Sequence, residues 1–217
     1  MVFDISPLLL SLRISLTAIC IVFILGLLAA RLCMEMKGHL KWILDVLFTL
    51  PLVLPPTVIG FILLMLYNRN GPIGKLFALI NVSFIFTETG AILAAVVVAF
   101  PLMYRAAKGA FEQVDEELIW AARTLGLSET KIFIKVLIPE AWPGIISGLI
   151  LAFTRALGEF GATLMIAGNI PKVTQTIPLA IYFAVANGKV ALATIWTVII
   201  SLISCMMLWA MNHYNRR

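Results

Sequence analysis

Five apolar runs, each about as long as a membrane-spanning helix, constrain the fold of this chain more than any other feature. A helix of about 20 apolar residues crosses a hydrocarbon layer that is about 30 Å thick. Of the 217 residues, 62% are hydrophobic and only 12% are charged, whereas a soluble domain carries about 25% charged residues. Because a soluble domain has no way to bury so many long apolar runs, the sequence predicts an integral membrane protein.

The predicted fold is all-α, a polytopic membrane protein with a single transmembrane domain over residues 1–217. Its five transmembrane helices are expected at about residues 8–30, 42–67, 84–107, 144–167 and 190–211. Residues 177–185 are also apolar, but this stretch is too short to cross a bilayer, so a re-entrant or interfacial helix is expected there.

Three prolines interrupt the second predicted span. Pro51, Pro55 and Pro56 lack the backbone N–H that a helix needs, so the helix must kink or break there. A break at membrane depth requires protein or water to satisfy the freed carbonyl groups. The prolines therefore indicate either a kink that packs against a neighbouring helix or a break that lines a pathway, with Pro55 and Pro56 as candidate pathway residues.

The basic residues predict the orientation of the chain. Cytoplasmic loops of membrane proteins carry an excess of Lys and Arg. Ten basic residues lie in residues 31–41, residues 105–139 and the carboxyl-terminal tail: Arg31, Lys37, Lys41, Arg105, Lys108, Arg123, Lys131, Lys135, Arg216 and Arg217. The loops on the opposite side hold four: Arg69, Lys75, Lys172 and Lys189. The larger set is predicted to be cytoplasmic, which places the amino terminus outside and the carboxyl terminus inside.

Residues 113–139 form the most polar interval of the chain and fall on the predicted cytoplasmic side. Asp115 is a good N-cap, and Glu116 and Glu117 follow in the first turn, where the helix dipole favours negative charge. Gly126 can take the left-handed conformation that ends a helix. A short cytoplasmic helix is therefore predicted between the cap and the glycine.

A second short helix is predicted after the first, capped by Ser128 and ending before Pro139. On the first helix, an apolar stripe with small residues at its middle recurs at spacings of three and four. The stripe consists of Leu118, Ala121, Ala122 and Leu125. Such a helix either rests on lipid headgroups or lets another protein approach closely, and both interpretations stay open on periodicity alone.

The spacing of Ala121, Ala122, Gly126 and Pro139 resembles the cytoplasmic EAA loop of ABC importer permeases. In that pattern EAA is followed by three residues, Gly, nine residues and I-x-L-P; here Trp120 stands in place of the glutamate. The family's loop forms a coupling helix that docks in a cleft of the cytoplasmic ATPase. The resemblance therefore implies ATPase coupling through Glu116, Glu117, Trp120, Ala121, Ala122, Gly126 and Leu127.

The resemblance covers nearly the whole chain. The stretches LPLVLPPTVIGF, NGPIG, FPLMYRAAKGAFEQVD, TRALGEFGATLMIAGNIP and TQTIPLAIY are similar to the molybdate permease subunits of ABC importers. This similarity implies a homodimer in a bacterial or archaeal inner membrane, with a cytoplasmic ABC ATPase dimer and an extracytoplasmic molybdate-binding protein. That protein would deliver its anion to residues 68–83 and 168–189. The implied substrate is molybdate or tungstate, and a sulfate or thiosulfate permease of the same family is the alternative.

Arg155 and Glu159 are charged residues in the fourth predicted span, with Arg155 near its middle, and placing a charge there costs more insertion free energy than placing any other residue of the span. They are one helical turn apart, so each can partly neutralise the other. The pair either fixes helix packing, or Arg155 lines a pathway where its planar guanidinium meets a divalent oxyanion. Gly158 and Gly161 permit close helix contact, which indicates either a dimer interface or a central gate. The candidate pathway or gate residues here are Arg155, Gly158, Glu159, Gly161 and Thr163.

The sequence shows no constellation of residues typical of a catalytic or metal site. His39 and His213 lie in basic segments, far along the chain from Glu159, and no P-loop of the GxxxxGK[ST] type occurs. The chain is therefore expected to be a non-enzyme that holds no metal and no cofactor, with ATP bound by a partner subunit. A membrane-embedded enzyme and a purely structural membrane subunit are the alternatives from other classes.

Overall fold

The computed structural model describes residues 4–80 and 82–215, with side chains described as far as residue 211. The side chain of His213 and the basic residues Arg216 and Arg217 lie outside the described residues. All regular structure in the described part is helical. The helices are α1 (Ser6–Glu35), α2 (His39–Val53), α3 (Pro56–Tyr67), α4 (Pro72–Ala78), α5 (Glu88–Glu112), α6 (Glu116–Thr124), α7 (Glu129–Ile132), α8 (Ile138–Leu157), α9 (Gly161–Ala167), α10 (Ile177–Ala186) and α11 (Val190–Asn215).

Four helical stretches among the described residues are long and apolar enough to cross a membrane: Ser6–Glu35, Glu88–Glu112, Glu129–Leu157 and Val190–Met211. A fifth candidate is the pair α2 and α3, which is bent by 113°. The bend falls at Pro55, whose extended backbone separates the two helices, so the proline break is confirmed. The third span begins and ends later than the predicted residues 84–107.

The fourth span differs from its prediction at its carboxyl end. Residues 144–167 do not form one helix, because α8 ends at Leu157 and α9 begins at Gly161. The placement of Arg155 at the middle of a span is therefore wrong, since it lies in the last turn of α8. Glycines at 158 and 161 favour the break, because glycine is a poor helix former.

The same span also differs at its amino end. The helix after Ser128 does not stop before Pro139, since α7, a π-helical turn (Phe133–Leu137) and α8 form one continuous helix. In the π turn the N–H of Ile138 donates to the carbonyl of Phe133, five residues earlier. This wider turn relieves the clash between a proline ring and the preceding turn of an α-helix, so Pro139 is tolerated.

Small residues bring α1, α5 and α8 together into the core. A Cβ added to Gly26 of α1 would lie 2.6 Å from Cγ of Met103 on α5, and one added to Gly148 of α8 would collide with Cβ of Ala106. The facing side of α5 is also largely small: Ala91, Ala94, Ala95, Val98 and Ala99 are buried. In lipid the hydrophobic effect does not drive helices together, so the van der Waals contacts made by this close backbone approach stabilise their association.

Candidate functional site

Two helix interruptions lie against each other: the break between α2 and α3 and the break between α8 and α9. A Cβ on Gly161 would lie 3.2 Å from Cβ of Pro56 and 3.2 Å from Cγ2 of Thr57. One turn along α3, a Cβ on Gly60 would lie 2.7 Å from Cα of Ala162. The start of α3 and the start of α9 therefore pack backbone to backbone. We call this region, residues 54–60 and 155–162, the double break.

The predicted ion pair is present at the double break. Arg155 donates from Nη1 to Oε2 of Glu159 at 2.6 Å. The other carboxylate oxygen, Oε1, accepts the backbone N–H of Ala162 at 2.8 Å. Glu159 therefore ties the end of α8 to the start of α9, and this tertiary arrangement differs from the pairing within one helix that the spacing suggested.

Burial separates the two members of this pair. The side chain of Glu159 is 2% exposed, whereas that of Arg155 is 30% exposed. A guanidinium carries five N–H donors, so the partly exposed Arg155 has donors beyond the Nη1 contact to Glu159. The carboxylate partly neutralises the arginine and holds its orientation, which is an arrangement that can attract an anion without trapping it.

The other predicted gate residues divide into an exposed and a packed group. Pro55 and Gly158 are exposed, and Pro56 is half-buried. Gly161 and Thr163 are buried, so they support the packing of α9 and do not face the surface of the isolated chain. The exposed group and Arg155 are the residues that a passing solute could reach.

The polar segment of residues 113–139 forms the predicted helix and turn. Asp115 accepts the backbone N–H of Glu117 through Oδ1 at 2.9 Å, which confirms the N-cap. Gly126 has a φ of +77°, which confirms the left-handed turn, and the N–H of Leu127 donates to the carbonyl of Ala122 at 3.2 Å. Ser128 stands at the N-cap of α7 but makes no capping bond through its side chain.

The apolar stripe of α6 does not lie on one surface. Trp120, which is not part of the stripe, is 61% exposed. Within the stripe, Ala122 is 5% exposed, whereas Leu118 is 44% exposed and Leu125 81% exposed. Ala121 is exposed as well. Trp120, Ala121 and Leu125, which we call the outer face of α6, are available to a partner, and Ala122 instead supports the turn.

One contact within the segment and two contacts to other helices hold it in place. Arg123 donates from Nε to Oε1 of Glu129 at 2.8 Å, which joins α6 to α7. The guanidinium of Arg31 lies 4.4 Å from the ring centroid of Phe133, which Phe111 also meets edge-on at 5.5 Å. The π turn is thereby fixed against both α1 and α5.

A polar cluster between α2 and α5 was not predicted from the sequence. Oδ1 of Asp45 accepts the hydroxyl of Tyr104 at 2.6 Å and Nζ of Lys108 at 2.9 Å. The signal that could have found it is Asp45 itself, because an acidic residue inside a predicted span needs a partner. The partners, about 60 positions further along the chain, are not identified by any local pattern.

The comparisons with known proteins agree with this architecture. The model of the family described as "binding-protein-dependent transport system inner membrane component" matches residues 22–217. The chain belongs to this family. It is therefore a permease subunit of a transport system and a multi-pass inner-membrane protein.

Two relatives are similar over most of their length. The chain is 46% identical over 175 residues to the molybdenum transport system permease protein ModB of Escherichia coli K12, covering 80% of this chain and 76% of that protein. It is 40% identical over 209 residues to ModB of Haemophilus influenzae, covering 94% of this chain and 91% of that protein.

A solved structure confirms the fold. One chain of the inward-facing MetNI methionine ABC transporter matches with a TM-score of 0.75 and 17% identity, covering 98% of this chain and 94% of that chain. The predicted architecture of an ABC importer permease is therefore correct.

Proposed function

We propose that this chain forms the translocation pathway of an ABC importer for molybdate, with tungstate as a second substrate. The observation that carries the proposal is the double break, where partly exposed Arg155 is held by Glu159 in a chain that belongs to a transport family. Relatives named as molybdenum permeases support the choice of substrate.

The chemistry of Arg155 suits a tetrahedral dianion. Its planar guanidinium offers parallel N–H donors that match two oxygens of an oxyanion. A full positive charge would hold a dianion too tightly for transport, and the 2.6 Å contact with Glu159 lowers that attraction. Sulfate has the same charge and shape, so selection against sulfate rests with the binding protein that delivers the anion.

We infer three partners for the working complex. A second copy of the chain completes the pathway, and a cytoplasmic ATPase binds both ATP and the outer face of α6. A molybdate-binding protein docks on the opposite side, at residues 68–83 and 168–189. The excess of basic residues supports an amino terminus outside and a carboxyl terminus in the cytoplasm. On this proposal the chain itself holds no cofactor.

The helix Glu129–Leu157 connects the ATPase contact to the double break. It begins directly after the Gly126 turn and reaches Arg155 in its last turn. Closure of the ATPase pair would displace α6, and the continuous helix would carry that displacement to the α8–α9 break. This is a transition in which helices move as rigid bodies about short breaks.

Uptake of radiolabelled molybdate tests the proposal directly. The chain is reconstituted in proteoliposomes with its ATPase and binding protein, and uptake is measured with and without ATP. ATP-dependent uptake that unlabelled tungstate suppresses is the expected result. If an intact complex that hydrolyses ATP accumulates sulfate in preference to molybdate, the alternative substrate is correct; if it accumulates neither anion, the proposal is wrong.

Substitution of the two neighbouring alanines distinguishes docking from folding. Ala121→Trp adds bulk to the outer face of α6, so we expect the permease to insert normally and to lose its ATPase. Ala122→Trp has no room inside the segment, and Gly126→Pro demands a negative φ where the backbone has +77°; both should disorder the turn.

Co-purification of the ATPase and limited proteolysis of residues 113–139 provide the measurement. The expected pattern is a protease-resistant Ala121→Trp variant without ATPase, and protease-sensitive Ala122→Trp and Gly126→Pro variants. If the Ala121→Trp variant retains its ATPase and full uptake, the ATPase does not dock on the outer face of α6.

A further inference from the structure

The polar cluster of Asp45, Tyr104 and Lys108, which we call the latch, has no part in the function proposed so far. Tyr104 is 0% exposed, and the side chains of Lys108 and Asp45 are 13% and 26% exposed. A single carboxylate oxygen receives both donors, at 2.6 Å from the tyrosine and 2.9 Å from the lysine. The latch joins the first half of the broken span to α5.

Besides the latch, α2 is held by two partly buried side chains, Leu44 and Phe48, that pack against the core. None of the residues of α2 is buried. Its packed aromatic side chain is Phe48, whose ring meets those of Phe100 and Tyr104 edge-on at 5.5 and 5.3 Å. The other half of the span is held far more closely, because Gly60 brings α3 into backbone contact with Ala162 of α9.

We propose that α2 is a movable arm that turns about Pro55, and that the latch holds it in the conformation seen here and opens during transport. The proposal rests on the function proposed above. Pro55 lacks the N–H that would continue the helix, and α2 and α3 are already bent by 113° at this point. Because α3 stays with α9, rotation of α2 changes the exposed surface at Pro55, within the double break.

The latch is placed where motion of the ATPase would reach it. Lys108 lies one helical turn before the end of α5 at Glu112, and α6 begins four residues later at Glu116. A displacement of α6 therefore acts on the part of α5 that carries the lysine. Opening leaves the buried tyrosine hydroxyl without its acceptor and separates two charges, so the closed state is favoured until the ATPase supplies work.

A natural thiol reports whether the latch opens. Cys33 of α1 is 0% exposed and is a polar neighbour of the Tyr104 hydroxyl. Cys20 and Cys205 are exposed, so their replacement by serine leaves Cys33 as the one thiol of this chain. Because Cys33 neighbours the Tyr104 hydroxyl, opening of the latch would loosen the packing around this thiol and raise its access to reagent.

The experiment uses the complete complex of permease, ATPase and binding protein in proteoliposomes. N-ethylmaleimide modification of Cys33 is followed by mass spectrometry, with and without ATP turnover, in the native latch and in Asp45→Asn and Tyr104→Phe. In the permease with the native latch, we expect ATP turnover to speed the modification of Cys33 by about tenfold. This is the change that about 1.4 kcal/mol produces in an equilibrium. Asp45→Asn should reach that rate without ATP, and Tyr104→Phe should lie between.

Coupling provides the second readout. Asp45→Asn should keep ATP hydrolysis and lose about nine-tenths of its uptake per ATP, a tenfold change of the same size. A cluster that only supports folding would lower the yield of complex and leave uptake per ATP unchanged, and that outcome overturns the proposal. The proposal is also overturned if a native complex that transports molybdate shows the same rate of Cys33 modification with and without ATP. Failure of the proposed function is distinct, because the native complex itself would then show no uptake.

Discussion

Replacing Arg155 by alanine is expected to abolish molybdate uptake while the complex still assembles. The substitution removes the partly exposed cation at the double break and leaves the carboxylate of Glu159, only 2% exposed, without its charged partner. Because Arg155 is 30% exposed, water can enter the space it leaves, so the cost lies below the roughly 3–5 kcal/mol of a fully buried pair. The hydrogen bond from the N–H of Ala162 to Glu159 remains, so the α8–α9 break should keep its shape.

Two further variants show which property of the arginine matters. Arg155→Lys keeps the charge but loses the planar fork, so we expect weak residual uptake. Arg13→Ala is the matched control: Arg13 pairs with Glu88 at 3.0 Å, but its side chain is 73% exposed. An exposed pair contributes at most about 1 kcal/mol, and uptake should be nearly unchanged. Wild-type uptake by Arg155→Ala would show that the pair serves only packing.

Gly60→Ala is expected to disable transport by forcing α3 away from α9. The added Cβ would lie 2.7 Å from Cα and 2.9 Å from the carbonyl oxygen of Ala162, and backbone atoms cannot move aside as a side-chain tip can. Overpacking of this kind costs about 1–3 kcal/mol. Both the thermal unfolding midpoint of the purified permease and its ATP-dependent uptake should fall.

The same substitution elsewhere provides the control. Gly109 lies inside α5, and a Cβ added there meets nothing within 4 Å. Alanine is a better helix former than glycine by about 1 kcal/mol, so Gly109→Ala should keep uptake and raise the unfolding midpoint slightly. If Gly60→Ala keeps the same uptake as Gly109→Ala, the close α3–α9 contact is not required for transport.

Several local features could be predicted because they depend on residues close together in the chain. The cap at Asp115 and the left-handed turn at Gly126 are examples, since a helix terminus is decided by the residues within one turn of it. The break at Pro55 is another, because proline removes a backbone donor in any surroundings.

The incorrect predictions share a physical cause. The π turn that tolerates Pro139 is stabilised by Phe111 and Arg31 around Phe133, and these contacts come from other helices. The placement of Arg155 at mid-span failed because hydropathy does not detect a helix that ends at Leu157 and restarts at Gly161. The burial of Ala122 beside exposed Ala121 likewise depends on how α6 folds onto its neighbours.

The sequence by itself determined that this protein is an all-helical membrane protein with a broken second span and a helix capped at Asp115. These properties follow from hydropathy, chain length and local backbone chemistry, which need no knowledge of distant contacts. Tertiary structure alone decided that the two breaks meet, since Gly60 and Ala162 are about a hundred positions apart. It also decided that Asp45 pairs with Lys108, because burial of a charge in lipid selects whichever partner the packed helices bring within reach.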